Sequence, residues 1–188
     1  MTGSLLPVRD RDHILPRYRN TPIADLLAYH NLASPHRSYD QAALLVGMCM
    51  DYRQRLRIPD RFAYIMRVGG ARILRLEFQL SFAIAIGGVQ AIALVGHDQC
   101  GMVNLGARRH AFVRGLITNA GWTRRKAETH FDSLAEQFEI GDAMVSVIRD
   151  AARLRQKYPA VAVAPLMYRL SDGLLYQVDE TQGEGAPR

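Results

Sequence analysis

The stretch "AIALVGHDQCGM", residues 91–102, opens on an apolar run over 91–96 and ends on a His97-x-x-Cys100 pair. A run this short, closed by glycine and polar residues, reads as a strand buried on both faces. A second stretch, "AALLVGMCMDYR", residues 42–53, repeats the arrangement, with an apolar run over 42–48 that stops at Cys49. Cys49 and Cys100 are the two cysteines of the chain. Each stands where an apolar strand runs out. In open α/β sheets the carboxyl ends of strands are where sites form.

Working outward, "TPIADLLAYHNLA", residues 21–33, reads as a helix, with Thr21 as N-cap and Pro22 in the first turn. "FAYIMRV", residues 62–68, is a further strand candidate, closed by Gly69 and Gly70. The pattern over 72–86 predicts a helix with Ile73, Leu76, Leu80 and Ala83 or Ile84 on one side, ended by Gly87 and Gly88. Residues 101–157 read as mostly helical. Thr123 is a cap candidate there, and "IGDAMVSVIRDAARLRQKY" is strongly amphipathic until Pro159 stops it. "AVAVAPLMYRL" and "LLYQV" read as two more strands around an "SDG" turn. Strands alternating with helices predict an α/β fold: a mostly parallel central β-sheet of about 4–5 strands flanked by helices, with an N-terminal helical arm. A single domain is expected over 1–188, with 1–20 an irregular arm and 181–188 a loose tail.

The 188 residues suffice for one domain with a real core, and 48% hydrophobic with 22% charged residues is ordinary for a globular chain. No apolar run approaches the roughly 18 residues of a membrane helix. The first residues carry charges and prolines where a signal peptide has its apolar stretch, so a cytoplasmic location and no membrane partner are expected. The formal net charge is +6, and lysine occurs only at Lys126 and Lys157. The arginines are interspersed with acids, and no aromatic stripe accompanies the clusters at Arg53/Arg55/Arg57, Arg108/Arg109 and Arg124/Arg125/Lys126. That pattern reads as a solvated surface without a nucleic-acid partner.

Two cysteines are too few for a disulfide scaffold, which leaves buried fillers, reactive thiols or metal ligands. Cys49, His97 and Cys100 together offer two thiolates and an imidazole, a set that suits tetrahedral zinc. A lone residue followed by a His-x-x-Cys pair is not the two-pair spacing of a zinc finger. Three protein ligands with one vacant position is instead the arrangement of a catalytic zinc, which can lower the pKa of bound water to about 7. Asp51 and Arg53 alternate with Cys49, so an extended backbone would point all three to one side. The carboxylate could accept a proton from water or take the vacant position itself, and the arginine could hold it by a charge-assisted fork.

Cys49-x-Asp51-x-Arg53 followed by His97-x-x-Cys100-Gly101 resembles the β-class carbonic anhydrases, nearest to their small archaeal-like branch. The resemblance is strongest over 49–102 and extends in element order from about Thr21 to Val178. It implies that Cys49, His97 and Cys100 bind one Zn2+ per chain and that Asp51 and Arg53 form a dyad that gates it. It implies reversible hydration of carbon dioxide to bicarbonate and a proton, by attack of a zinc-bound hydroxide. It also implies a homodimer or larger assembly, with Thr21–Ala33 as a segment that could embrace the partner. Carbon disulfide or carbonyl sulfide hydrolases resemble the same pattern, and a non-catalytic binding relative is a third reading. Two positions depart from many family members: Val68 stands where asparagine is usual, and Asp98 where threonine or serine follows the histidine. The segment from Gly106 to Ile140 looks like a lengthened helical excursion. Its Trp122 and Phe131 are expected to pack, and His110 and His130 to lie at the surface.

Overall fold

The computed structural model describes residues 3–180, so the expected loose tail at 181–188 lies outside the described residues. Among the described residues six strands form one sheet: β1 (Ser4–Pro7), β2 (Leu44–Met48), β3 (Ala63–Arg67), β4 (Ala91–His97), β5 (Ala162–Arg169) and β6 (Leu174–Asp179). Their order is β1-β6-β5-β4-β2-β3. The pairs β2–β3, β2–β4 and β4–β5 are parallel, and β5–β6 and β1–β6 are antiparallel. The expected mostly parallel sheet is present, with one more strand than the pattern predicted.

The extra strand lies in the segment read as an irregular arm. Ser4–Pro7 alternates in burial and pairs with β6 at the sheet edge. Its four residues include Pro7, which removes a donor and suits only an edge. So short a run carries no periodicity of its own, and the pairing partner lies at the far end of the chain.

Among the described residues the α-helices are α1 (Pro22–Leu32), α2 (Glu77–Ala85), α3 (Arg109–Ala120), α4 (Arg124–Phe138) and α5 (Ala143–Lys157). Thr21, Thr123 and Asp142 cap α1, α4 and α5 through their side-chain oxygens. On one face of the sheet Leu44, Val46, Met48, Ala91, Ala93 and Val95 pack with Ile23, Leu26 and Leu27 of α1. On the other, Leu45, Ile92 and Leu94 pack with Val147, Ile148, Ala151 and Leu154 of α5 and Leu80 of α2. Burial on both faces is why the central strands read as unbroken apolar runs. The N-terminal helical arm is α1, and its apolar residues are buried on the sheet of the same chain.

The helix expected over 72–86 is regular only from Glu77. Before it lie two short 3-10 turns, Gly69–Ala71 and Ile73–Leu76, with Gly70 at φ 65°. Tertiary contacts override the local pattern here. Ile73 is buried beneath β2, and Arg72 and Arg75 both reach back to the Gln137 carbonyl at the end of α4.

Candidate metal centre

β2 and β4 are neighbours in the sheet, in a register that sets Met48 beside Val95. Their carboxyl ends therefore emerge side by side. Cys49 follows β2 directly, His97 is the last residue of β4, and Cys100 lies in the turn beyond it. The structure brings these three together: the two Sγ atoms and the imidazole lie within 4.8 Å of one another. All three residues are at most 4% exposed. Among the described residues no other group of three such side chains converges in this way.

The donor set fits a metal ion. His97 Nδ1 lies 2.7 Å from the Asp98 carbonyl oxygen, which can only accept, so Nδ1 carries the proton and Nε2 a lone pair. That Nε2 is buried without a hydrogen-bond partner among the described residues, an arrangement that costs stability unless something coordinates the atom. The Cys49 and Cys100 Sγ atoms are 3.9 Å apart. Tetrahedral zinc with bonds of about 2.3 Å sets two sulfurs about 3.8 Å apart. The thiols share a proton: the hydrogen bond from Cys100 pulls Cys49 down to about 4 and pushes Cys100 up. One thiolate is thus available at neutral pH, and a dication in place of the shared proton would supply the second.

Asp51 and Arg53 stand at the mouth of this cluster. Arg53 grips the Asp51 carboxylate with Nε at 3.0 Å and Nη2 at 2.6 Å, and its backbone N–H adds a third bond at 3.0 Å. That grip holds the Asp51 carboxyl down to about 2. Asp51 Oδ2 lies 3.9 Å from His97 Nε2. Met50 and Tyr52 are exposed, at 64% and 83%, but the backbone is not extended as far as Arg53. Residues 51–54 form a turn instead, with the Gln54 N–H donating to the Asp51 carbonyl.

A further contributor is Arg67, the last residue of β3. Its guanidinium donates to the carbonyls of Cys49, Asp51 and Gln54 at 3.2, 3.3 and 2.9 Å. One side chain thereby ties down the loop that carries a thiol and the carboxylate. The only signal available was an arginine closing a strand beside two glycines. Those glycines let the following turn approach the Cys100 loop: a Cβ on Gly69 would meet Met102 Sδ at 2.9 Å, and one on Gly70 would meet Ile140 Cγ2 at 2.8 Å. Glu139 was missed altogether. Its carboxylate accepts from the Asn104 N–H at 2.6 Å and from the Leu105 N–H, holding the loop after Cys100.

The excursion after Gly106 is the α3–α4 pair. Phe131 is buried against Phe112, with ring centroids 5.1 Å apart, and Trp122 packs on His130 with Lys126 over its face. His110 is exposed, whereas His130 is half-buried between the Phe112 and Trp122 rings. Val68 packs into the core beside α5 and donates its N–H to the Met48 carbonyl.

Fold and site together define an α/β protein whose parallel strands deliver a buried Cys-His-Cys cluster able to hold a metal ion. A family model described as carbonic anhydrase matches residues 63–180. The chain belongs to the carbonic anhydrase family, in its β class, a family of lyases. The matched region includes His97 and Cys100 and begins beyond Cys49.

Solved structures share the fold at low identity. A carbonic anhydrase from Glaciozyma antarctica is 20% identical, with a TM-score of 0.59 over 87% of this chain and 95% of that one. One from Streptococcus mutans is 18% identical, with a TM-score of 0.56 over 84% and 95%. An apo carbon disulfide hydrolase is 15% identical, with a TM-score of 0.53 over 88% and 92%. No functionally curated protein matches the chain closely enough to count as a relative. Among the described residues no helix is long and apolar enough to cross a membrane.

Proposed function

We propose that this protein is a zinc-dependent carbonic anhydrase that interconverts carbon dioxide and water with bicarbonate and a proton. Cys49, His97 and Cys100 are the residues that would hold one zinc ion, and Asp51 and Arg53 are the dyad beside it. The observation that carries the reading is the orphaned, buried Nε2 of His97 facing two thiols, with an ionised carboxylate 3.9 Å away. Zinc in such a set supplies Lewis acidity that makes water a nucleophile near neutral pH.

The residues of the chain supply the rest. Arg53 keeps Asp51 ionised, so the carboxylate can accept a hydrogen bond from a water and orient it. The buried setting of the ligands excludes bulk water from the apolar substrate. Arg67 and Glu139 hold the two loops that carry the cluster.

We place the whole of 1–188 in one domain, working in the cytoplasm as a homodimer or larger assembly without nucleic acid. Exposed Tyr64 and Ile65 on the edge strand β3, with Phe78, Phe82 and Ile86 on and just beyond α2, support burial against a second copy.

Carbon disulfide or carbonyl sulfide hydrolysis is the second reading. One observation favours it: an apolar cleft of about 310 Å³ is lined by Met50 and Met102, which follow Cys49 and Cys100 closely in the chain, with Leu105, Phe131 and Phe138 among others. Polarisable methionines suit a sulfur-containing apolar molecule.

Stopped-flow carbon dioxide hydration on protein of measured zinc content tests the proposal. Fast hydration with about one zinc per chain is expected. Zinc with sulfide release from carbonyl sulfide but no hydration would move the assignment to the second reading. Zinc-free, inactive protein would overturn both.

A further inference from the structure

His97 can present Nε2 to a metal only in the tautomer with its proton on Nδ1. The Asp98 carbonyl, 2.7 Å from Nδ1, holds that proton in place. The orientation of one backbone carbonyl therefore sets the histidine. The loop does not rest there by local preference, because Gln99, the next residue, sits at φ 55°, a left-handed conformation uncommon for a residue with a side chain.

Something outside the loop must impose the geometry. The ladder between β4 and β5 ends at the His97–Tyr168 pair. Just past that point the Asp98 side chain takes over, as its Oδ1 accepts the Leu170 N–H at 2.8 Å. From the opposite side Arg53 Nη2 donates to the Gln99 carbonyl at 3.4 Å. The segment 98–99 is pinned at both ends, and Asp98 itself is not one of the three ligand-bearing residues.

We infer that Asp98 is a positioning residue for His97: its carboxylate oxygen, bonded to the Leu170 amide, holds the Asp98 carbonyl against Nδ1 and so aims Nε2 at the metal. The role rests on the metal reading proposed above. What it requires is an acceptor oxygen at a set reach from the backbone. A negative charge is not needed.

Full-length Asp98→Asn, Asp98→Glu and Asp98→Ala separate reach from charge. Zinc affinity is measured by competition with a chromophoric chelator, and the His97 tautomer by long-range proton–nitrogen NMR on zinc-free protein. Asparagine keeps the acceptor at the same reach and is expected to bind zinc like wild type. Glutamate and alanine are expected to weaken zinc binding about 10- to 100-fold, the usual effect of losing a partner behind a metal ligand. They are also expected to mix the two His97 tautomers. Wild-type affinity in Asp98→Glu with loss in Asp98→Asn would show that charge matters and overturn the inference. Equal behaviour of all three variants, whether strong or weak, would overturn it too. The asparagine–glutamate pair decides even if the alanine variant fails to fold. If the wild type binds no zinc, the metal reading falls, and the tautomer spectra still test what Asp98 does.

Discussion

Replacing Gly47 by alanine should destabilise the protein through one identifiable collision. Gly47 lies in β2, one residue from its end and two before Cys49. A Cβ there would fall 2.4 Å from Ile73 Cδ1, 2.8 Å from Cγ2 and 3.0 Å from Cγ1. Ile73 is 1% exposed, so it has little room to move aside. Overpacking of a tight core costs about 1–3 kcal/mol. Relieving the backbone entropy of a strand glycine returns about 0.5–1 kcal/mol. The collision wins at the centre of these ranges, with a net loss of about 1 kcal/mol, or about 2–4 °C in melting temperature for a chain of this size.

Ile73→Val deletes the atom in the closest contact and by itself should cost about 0.5–1.5 kcal/mol. Because the two residues collide, the double variant should lose about 1 kcal/mol less than the sum of the singles. Urea denaturation of the four proteins at one pH measures the cycle. Zinc content measured alongside reports whether displacing β2 carries Cys49 out of the cluster. Additive losses, within about 0.5 kcal/mol, would refute the collision as the reason for glycine at this position.

Two further outcomes are expected. Asp51→Ala should retain zinc, since the three ligands are untouched, but should move the rate–pH profile to lower pH by roughly one unit. It removes a carboxylate held at about 2 and frees the Arg53 guanidinium, and both changes favour loss of a proton from an activated water; an unchanged profile would remove Asp51 from the chemistry. Stability should also fall as pH drops below about 6.5, through His30. Burial lowers the pKa of this imidazole, whose Nε2 donates to the Gly173 carbonyl at 2.8 Å while Nδ1 accepts the Arg57 N–H at 3.1 Å. Between the folded and unfolded values the unfolded chain binds a proton that the folded chain refuses, so the slope is up to about 1.4 kcal/mol per pH unit. Urea midpoints across pH 5–8 should show this slope in wild type and lose it in His30→Gln, and its persistence would clear His30.

Much of this molecule was legible in short stretches. The apolar runs at 42–48 and 91–96 announced strands buried on both faces, because a side chain on either face of a covered sheet must be apolar. Thr21, Thr123 and the periodicity of 140–158 marked helices, because capping and amphipathicity are local. Cys49, His97 and Cys100 stood out because each follows or closes such a strand.

What tertiary structure alone decided depends on partners far apart in the chain. The adjacency of β2 and β4 brings Cys49 within reach of His97, and no local period encodes which strands become neighbours. The Ser4–Pro7 strand exists because β6, at the other end of the chain, offers it a ladder. Arg67 on three carbonyls, Glu139 on the Asn104 loop and Asp98 on the Leu170 amide are bonds between side chains and distant backbone. Their sequence positions look like ordinary surface charges. Side-chain identity declares which bonds a residue can make, and only the closed fold settles which partner it meets.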